Sequence, residues 1–493
     1  MKKSFLCLIL CLNFLCLYAD IRTYPAPPGS ELNTAFTVKV RQNEGPWQQI
    51  DIYLARIANN TNGGIKQERT SFGYFDFSGE LEVSVTVKEP IVSGVNLRPR
   101  SYGITPVVNG NTIGFKLRSP RNISLEVNGN IFNNLHLFAN PLNRLSRAVA
   151  DSNLIYFGPG IHRVGVLKVL SGKTIYIAGG AIVQGQLLMD RVHNVKILGR
   201  GIITQLPLPG DSVTRSKAGK GLSKMRGDEI TINYSANIEV NGVIVLPHKY
   251  SVFIGQSDSV KISNLKSFSS EGNADGIDVF CSRKVYIDSV FMRNSDDCIA
   301  VYGHRWSFFG NTHKVIVTNS TLWADIAHPV LIGTHGDSVH PDTLSDISFK
   351  NIDILDQHEN QIDYQGCLAL NAGDKNLIKN VSFTDVNIEN IRKGQLLNLR
   401  VMYNKKYNTS PGRGIENVLF KNLSYTGANP NLSVISGYDE ARTIKNVIFE
   451  NLRINGQLIY DDMTEKPSFY KTGDMANIMI GEHTDGIKFI VSQ

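Results

Sequence analysis

Apolar and polar positions alternate in short bursts over residues 20–145. Thr37-Val38-Lys39-Val40, Ile50-Asp51-Ile52-Tyr53, Leu81-Glu82-Val83-Ser84-Val85-Thr86-Val87 and Ile123-Ser124-Leu125-Glu126-Val127 all have a period of two, and Gly, Asn and Pro separate them. A period of two places successive side chains on opposite faces, so each burst predicts a half-buried strand. Strands at this spacing predict a β-sandwich. No group of reactive side chains stands out there, and packing is its expected role.

After Tyr156-Phe157-Gly158-Pro159-Gly160 a different pattern takes over. A polar residue, Val or Ile, any residue, an apolar residue, any residue and often Asn recur in that order. The copies begin at Lys173, Asn194, Asn237, Ser259, Lys284, Lys314, Asp346, Asn380, Asn417 and Asn446. The steps are 21, 43, 22, 25, 30, 32, 34, 37 and 29 residues. Repeats near 22 residues with β-branched alternation predict a right-handed parallel β-helix over 146–493, each coil adding short strands to long sheets. Leu is missing from the offsets of a leucine-rich repeat, and the shortest steps cannot hold a four-stranded propeller blade. The step of 43 is one rung with an insertion or nearly two rungs. Longer steps imply loops, at 303–313, 334–345 and 356–376, that build one face. The fold class is therefore all-β, a parallel β-helix preceded by a sandwich.

Residues 1–19 read as a secretory signal. Lys2 and Lys3 precede the apolar run Ser4–Leu17, and Leu17-Tyr18-Ala19 suits cleavage before Asp20. The run is too short to span a bilayer. Export to the periplasm or the extracellular space is expected, with no membrane span. Cleavage lowers the formal charge from +7 to +5. That charge is scattered, so nucleic acid is not an expected partner. A hydrophobic share of 42% excludes extensive disorder. Three Cys leave with the signal; Cys281, Cys298 and Cys367 remain. An odd number leaves at least one thiol free or paired between chains, and buried apolar thiols are the expected state. No Cys/His metal spacing occurs, so neither metal nor cofactor is expected, and the chain is expected to be a monomer.

The chemistry concentrates in two segments. Asn273-Ala-Asp275-Gly-Ile-Asp278 is followed by Asn294-Ser-Asp296-Asp297-Cys298. Asp275 and Asp296 lie 21 residues apart, one short coil, which predicts that they stack on adjacent coils about 4.8 Å apart. Carboxylates crowded this way repel, and at least one must hold its proton to higher pH. An acid kept protonated beside ionised carboxylates is what glycosidic hydrolysis needs. Asp-Gly is also a common turn former. Asp296 and Asp297 are neighbours, so both reach one cleft only where the chain bends.

These two segments, at this spacing, resemble the polygalacturonase family, glycoside hydrolase family 28. That family's pattern is Asn-Thr-Asp-Gly, Asp-Asp, Gly-His-Gly and Arg-x-Lys. Ala327-His328-Pro329 resembles the third element, with Pro329 in place of the second Gly. The chain also resembles glycoside hydrolase family 49, the dextranases and isopullulanases, which share the β-helix, the three-Asp site and a leading sandwich. The resemblance implies an inverting hydrolase of a polysaccharide or oligosaccharide. Asp296 would be the acid, Asp275 and Asp297 would activate water, and His328 would hold the site's hydrogen bonding and charge. Asp278, Tyr302, His304, Arg305, His335 and Arg400 are candidates for contacting sugar.

The departure from the pattern concerns the substrate. Where the Arg-x-Lys clamp belongs, the chain reads Gln365-Gly-Cys-Leu-Ala-Leu-Asn371, with no cation. Arg400-Val-Met402 follows a coil later, with Met in place of Lys. A uronate carboxylate needs fixed positive charge. Dextran-like α-glucan and pectin-type galacturonan therefore both stand. A β-helical polysaccharide lyase, needing calcium and a Lys or Arg base, and a non-catalytic carbohydrate-binding solenoid are the other readings.

Overall fold

The computed structural model describes residues 20–61, 64–143, 152–205, 228–364, 366–428 and 430–492. The expected signal segment, the 145/146 boundary and Gln365 lie outside the described residues.

Two sheets form the front unit. One runs Ile21–Thr23, Gly64–Phe77, Asn130–Pro141, Arg121–Val127, Val95–Arg98, with Tyr53–Thr61 also on Gly64–Phe77. The other runs Gln48–Ile50, Phe36–Arg41, Leu81–Val87, Thr112–Leu117, Val107–Asn109. Their inward residues, among them Val38, Val40, Phe75, Phe77, Val83, Val85 and Leu137, form one buried core. This is the expected sandwich. One predicted strand is divided: Ile50 ends a strand of the second sheet, and Tyr53 begins one of the first. Ile50 and Ile52 both bury in the core, while the Asp51 carboxylate accepts from the Ala26 N–H at 2.8 Å. The chain crosses between sheets at that point, so the period of two is interrupted.

From Leu154 onward the strands wind into a parallel β-helix with three faces. The repeated motif forms the first, whose strands pair rung to rung from Thr174–Ile177 to Thr484–Ile490. His193–Gly199 pairs directly with Ala236–Asn241, so the step of 43 is one rung with an insertion. The motif's apolar positions point inward and stack. Ile262, Ile287 and Val317 lead into Phe349, Phe383, Phe420, Phe449 and Phe489, whose rings lie 4.7 to 5.1 Å apart.

The motif's polar ends are corners. The first residues of its copies from Asn194 to Asn446 all have φ between +55° and +59°. The closing residues from Asn264 to Asn451 have φ between +52° and +60°. Asn tolerates this left-handed region better than most residues, and its amide also bonds to the next coil. Asn446 donates to Asn417 and Asn417 to Asn380, both at 3.1 Å.

The sandwich packs on the second face. Phe72, Tyr74 and Phe138 meet Phe268, Phe291 and Trp323 in one cluster. Buried ion pairs flank it: Arg200 with Asp76 at 2.8 Å, and Arg98 with Glu126 at 2.8 Å and Glu389 at 2.7 Å. The third face runs through Ile230–Asn233, Val252–Gly255, Ile277–Phe280, Ile299–Tyr302, Val330–Gly333, Leu368–Ala372 and Leu397–Val401. The site lies where these strands begin.

Candidate active site

The third-face register sets which residues meet. Ile277 pairs with Ile299 and Ile299 with Val330. Two residues upstream, Asp275, Asp297 and His328 therefore share one phase on successive coils. Backbone bonds hold them there: Gly276 N–H to the Asp297 carbonyl at 2.8 Å, and Cys298 N–H to the His328 carbonyl at 2.8 Å. The expected match of Asp275 with Asp296 is thus off by one residue. The chain bends over Ser295–Asp297, which lets both neighbouring carboxylates face the cleft. Gly276 is needed for close approach: a Cβ there would stand 2.2 Å from the Cys298 carbonyl oxygen.

Three donors converge on Asp297. His328 Nδ1–H reaches Oδ1 at 2.7 Å, the His328 backbone N–H at 3.2 Å, and the Tyr302 hydroxyl reaches Oδ2 at 3.1 Å. His328 Nε2 lies 2.6 Å from the Tyr364 carbonyl. A carbonyl only accepts, so both ring nitrogens carry protons and the ring is an imidazolium. Burial opposes that charge, but Asp297 overrides it and pushes the imidazole up to about 9.

Asp296 behaves differently. Among the described residues its oxygens accept only from the Asn273 and Asp297 backbone N–H groups, each at 3.1 Å. Burial, then the charge on Asp297, pushes its carboxyl up to about 7. Burial raises Asp275 and Asp278 well above the usual carboxylate range, reinforced at Asp275 by the charge on Asp278 and at Asp278 by the charge on Asp297. Asp278 is 1% exposed, and among the described residues neither of its oxygens meets a donor. A proton held between Asp275 and Asp278 would satisfy them.

The structure distributes the other candidates. The Tyr302 ring stacks on Phe280 at 5.1 Å, and His335 packs against it at 5.3 Å. Burial, with Arg305 nearby, drives His335 down to about 3, so it is neutral. Arg305 lies over Tyr302 and Trp306. His304 donates its backbone N–H to Asp342 at 2.7 Å, and its ring lies 4.1 Å from that of Phe309. Arg400 lies three coils beyond Tyr302 in register, its guanidinium 3.5 Å from the Asp363 carbonyl. Two contributors were not expected. Glu359, 3% exposed, adds negative charge near Asp296 and His328, and Tyr364 acts through its carbonyl. Both come from the loop between the second and third faces, and a backbone carbonyl leaves no residue signature. Cys281, Cys298 and Cys367 are buried free thiols.

The sequence pattern of glycosyl hydrolases family 28 matches residues 178–469. A polygalacturonase from Juniperus ashei is 27% identical over 219 residues, 42% of this chain and 39% of that protein. A probable endo-xylogalacturonan hydrolase A from Aspergillus fumigatus is 25% identical over 239 residues, 45% of this chain and 53% of that one. The matched segment thus spans about half or less of these curated relatives. Among solved structures, Dex49A from Penicillium minioluteum superposes with a TM-score of 0.63 at 13% identity, over 95% of this chain and 96% of that one, which shows a shared fold. The family pattern covers more than half the chain, including Asp275, Asp278, Asp296, Asp297 and His328, and the chain belongs to glycosyl hydrolases family 28.

Proposed function

We propose that the chain is an exported, monomeric hydrolase that cleaves galacturonan-type polysaccharide with inversion at the anomeric carbon. The observation that carries the mechanism is the division of labour within the cluster. Asp296 keeps its proton to about 7, while Asp297 beside it receives three donors. Asp296 protonates the leaving glycosidic oxygen. A water held between Asp275 and Asp297 attacks the anomeric carbon from the opposite side and gives its proton to that pair. The His328 imidazolium fixes Asp297 and balances its charge. The substrate class is supported by the galacturonan-cleaving relatives named above. Absence of a cation from the described part of the coil, Gly366 to Ala372, favours a second reading, a neutral α-glucan.

Purified polysaccharides assayed for new reducing ends decide between these substrates. Proton NMR of the first anomer released tests inversion, and a retained anomer overturns the mechanism. Asp296→Asn should lose about 10²- to 10⁴-fold in kcat with oligosaccharide binding kept. Full activity in that variant would remove Asp296 from the acid role. A mature N-terminus at Asp20 would establish export processing, and size-exclusion chromatography tests the monomer.

A further inference from the structure

Resting on the galacturonan reading, we propose that Arg305 grips a uronate carboxylate and sets the enzyme's preference for charged over esterified sugar. Arg305 follows the strand Ile299–Tyr302, and Asp296 and Asp297 immediately precede that strand. A tight hairpin holds it, with the Arg305 N–H on the Phe308 carbonyl at 3.1 Å and the return bond at 3.0 Å. Trp306, at φ 55°, turns the chain. The guanidinium lies 4.2 Å from the Trp306 ring centroid and 5.8 Å from that of Tyr302. Tyr302 in turn donates to Asp297, so one aromatic ring separates the guanidinium from the catalytic cluster.

Arg305 makes no ion pair and its side chain no hydrogen bond among the described residues. Its charge reaches Asp278, Tyr250 and His335, yet it pairs with none of them. Its charge favours the ionised form of Asp278 from a distance, but it donates to neither oxygen of that carboxyl. Three other cations of this face are engaged. Arg400 leans on the Asp363 carbonyl, Lys406 on the Gln361 side chain, and Lys249 on the Gly272 carbonyl. What remains is a planar fork of donors with no acceptor, matched to a carboxylate. Phe253, Phe280 and Tyr302 are buried in the aromatic cluster beside it, and Trp306, 46% exposed, is the ring open to a sugar. A neutral sugar offers no charge to match it, and a methyl ester would mask the matching group.

The test compares kcat/KM on polygalacturonate and on fully methyl-esterified galacturonan. In Arg305→Gln the acid-to-ester ratio should fall about 10- to 100-fold, the loss expected for hydrogen bonds to a charged group. Arg305→Lys should recover part of that ratio. Equal losses on both substrates, or an unchanged ratio, would mean that Arg305 only braces the aromatic cluster, and would overturn this inference while leaving the galacturonan reading intact. A wild-type enzyme inert on polygalacturonate but active on dextran would overturn the substrate reading and this inference together.

Discussion

His328 has its proton affinity set by two opposed effects, and the balance is testable. Burial alone would leave it neutral; Asp297 at 2.7 Å and the Tyr364 carbonyl keep it charged to about 9. An unfolded histidine titrates near 6.5. Between those values the folded chain binds more protons than the unfolded one. The pair's stabilisation is therefore complete below about 6.5 and lost as pH rises through about 9. The stability gap between wild type and His328→Gln, measured by urea unfolding, should shrink from pH 6 to pH 9.5; an equal gap at both would refute the charged pair. Next to it, Ala327 has φ 92°, a conformation that suits glycine. Glycine is the family's residue at that point, and Ala327→Gly should raise stability by about 1 kcal/mol. A loss of stability would show that the Ala methyl does more than strain the backbone. His328 was legible from its motif, but its charge was not, because a backbone carbonyl 36 residues away completes it.

At the scale of the element, the repeat was legible because both its apolar and its polar positions are constrained. Apolar positions must stack in register, and polar ends must turn a corner in the left-handed region. Asn417 shows the second constraint. It has φ 57°, donates to Asn380 and accepts from Asn446. Asn417→Ala loses both bonds and puts a Cβ-bearing residue without a polar side chain in that region, which should cost about 1 to 2 kcal/mol. Asn417→Gly keeps the backbone at ease and should cost less. Denaturant midpoints of the two variants rank them, and the reverse order would discount the corner conformation. The misplaced phase of Asp275 and Asp296 has a related cause. Counting along the chain cannot see the bend at Ser295–Asp297, where one residue falls out of the alternation.

For the whole molecule, sandwich and helix share buried ground. Arg293, on the second face, pairs with Asp325 at 2.9 Å, and both are 0% exposed. It also reaches across to Asn134 at 2.9 Å and to the Ile131 carbonyl at 2.9 Å in the sandwich. Arg293→Ala strands the Asp325 carboxylate with its remaining partner Arg392, and should cost about 3 to 5 kcal/mol. Thermal unfolding measures that loss, and a change below 1 kcal/mol would mean that the pair adds little to docking. The sequence by itself determined the class of this molecule: a short strand-rich unit, a ladder of β-helical rungs, and three carboxylates one rung apart. Those features are local or periodic, so they can be read along the chain. Tertiary structure alone decided that Asp297 rather than Asp296 aligns with Asp275, that Glu359 and the Tyr364 carbonyl close the site, and that Arg305 comes to lie beside it with no acceptor among the described residues. Each depends on hydrogen bonds between coils and on loops returning from 30 or more residues away or folding back on themselves, and a one-dimensional pattern contains neither.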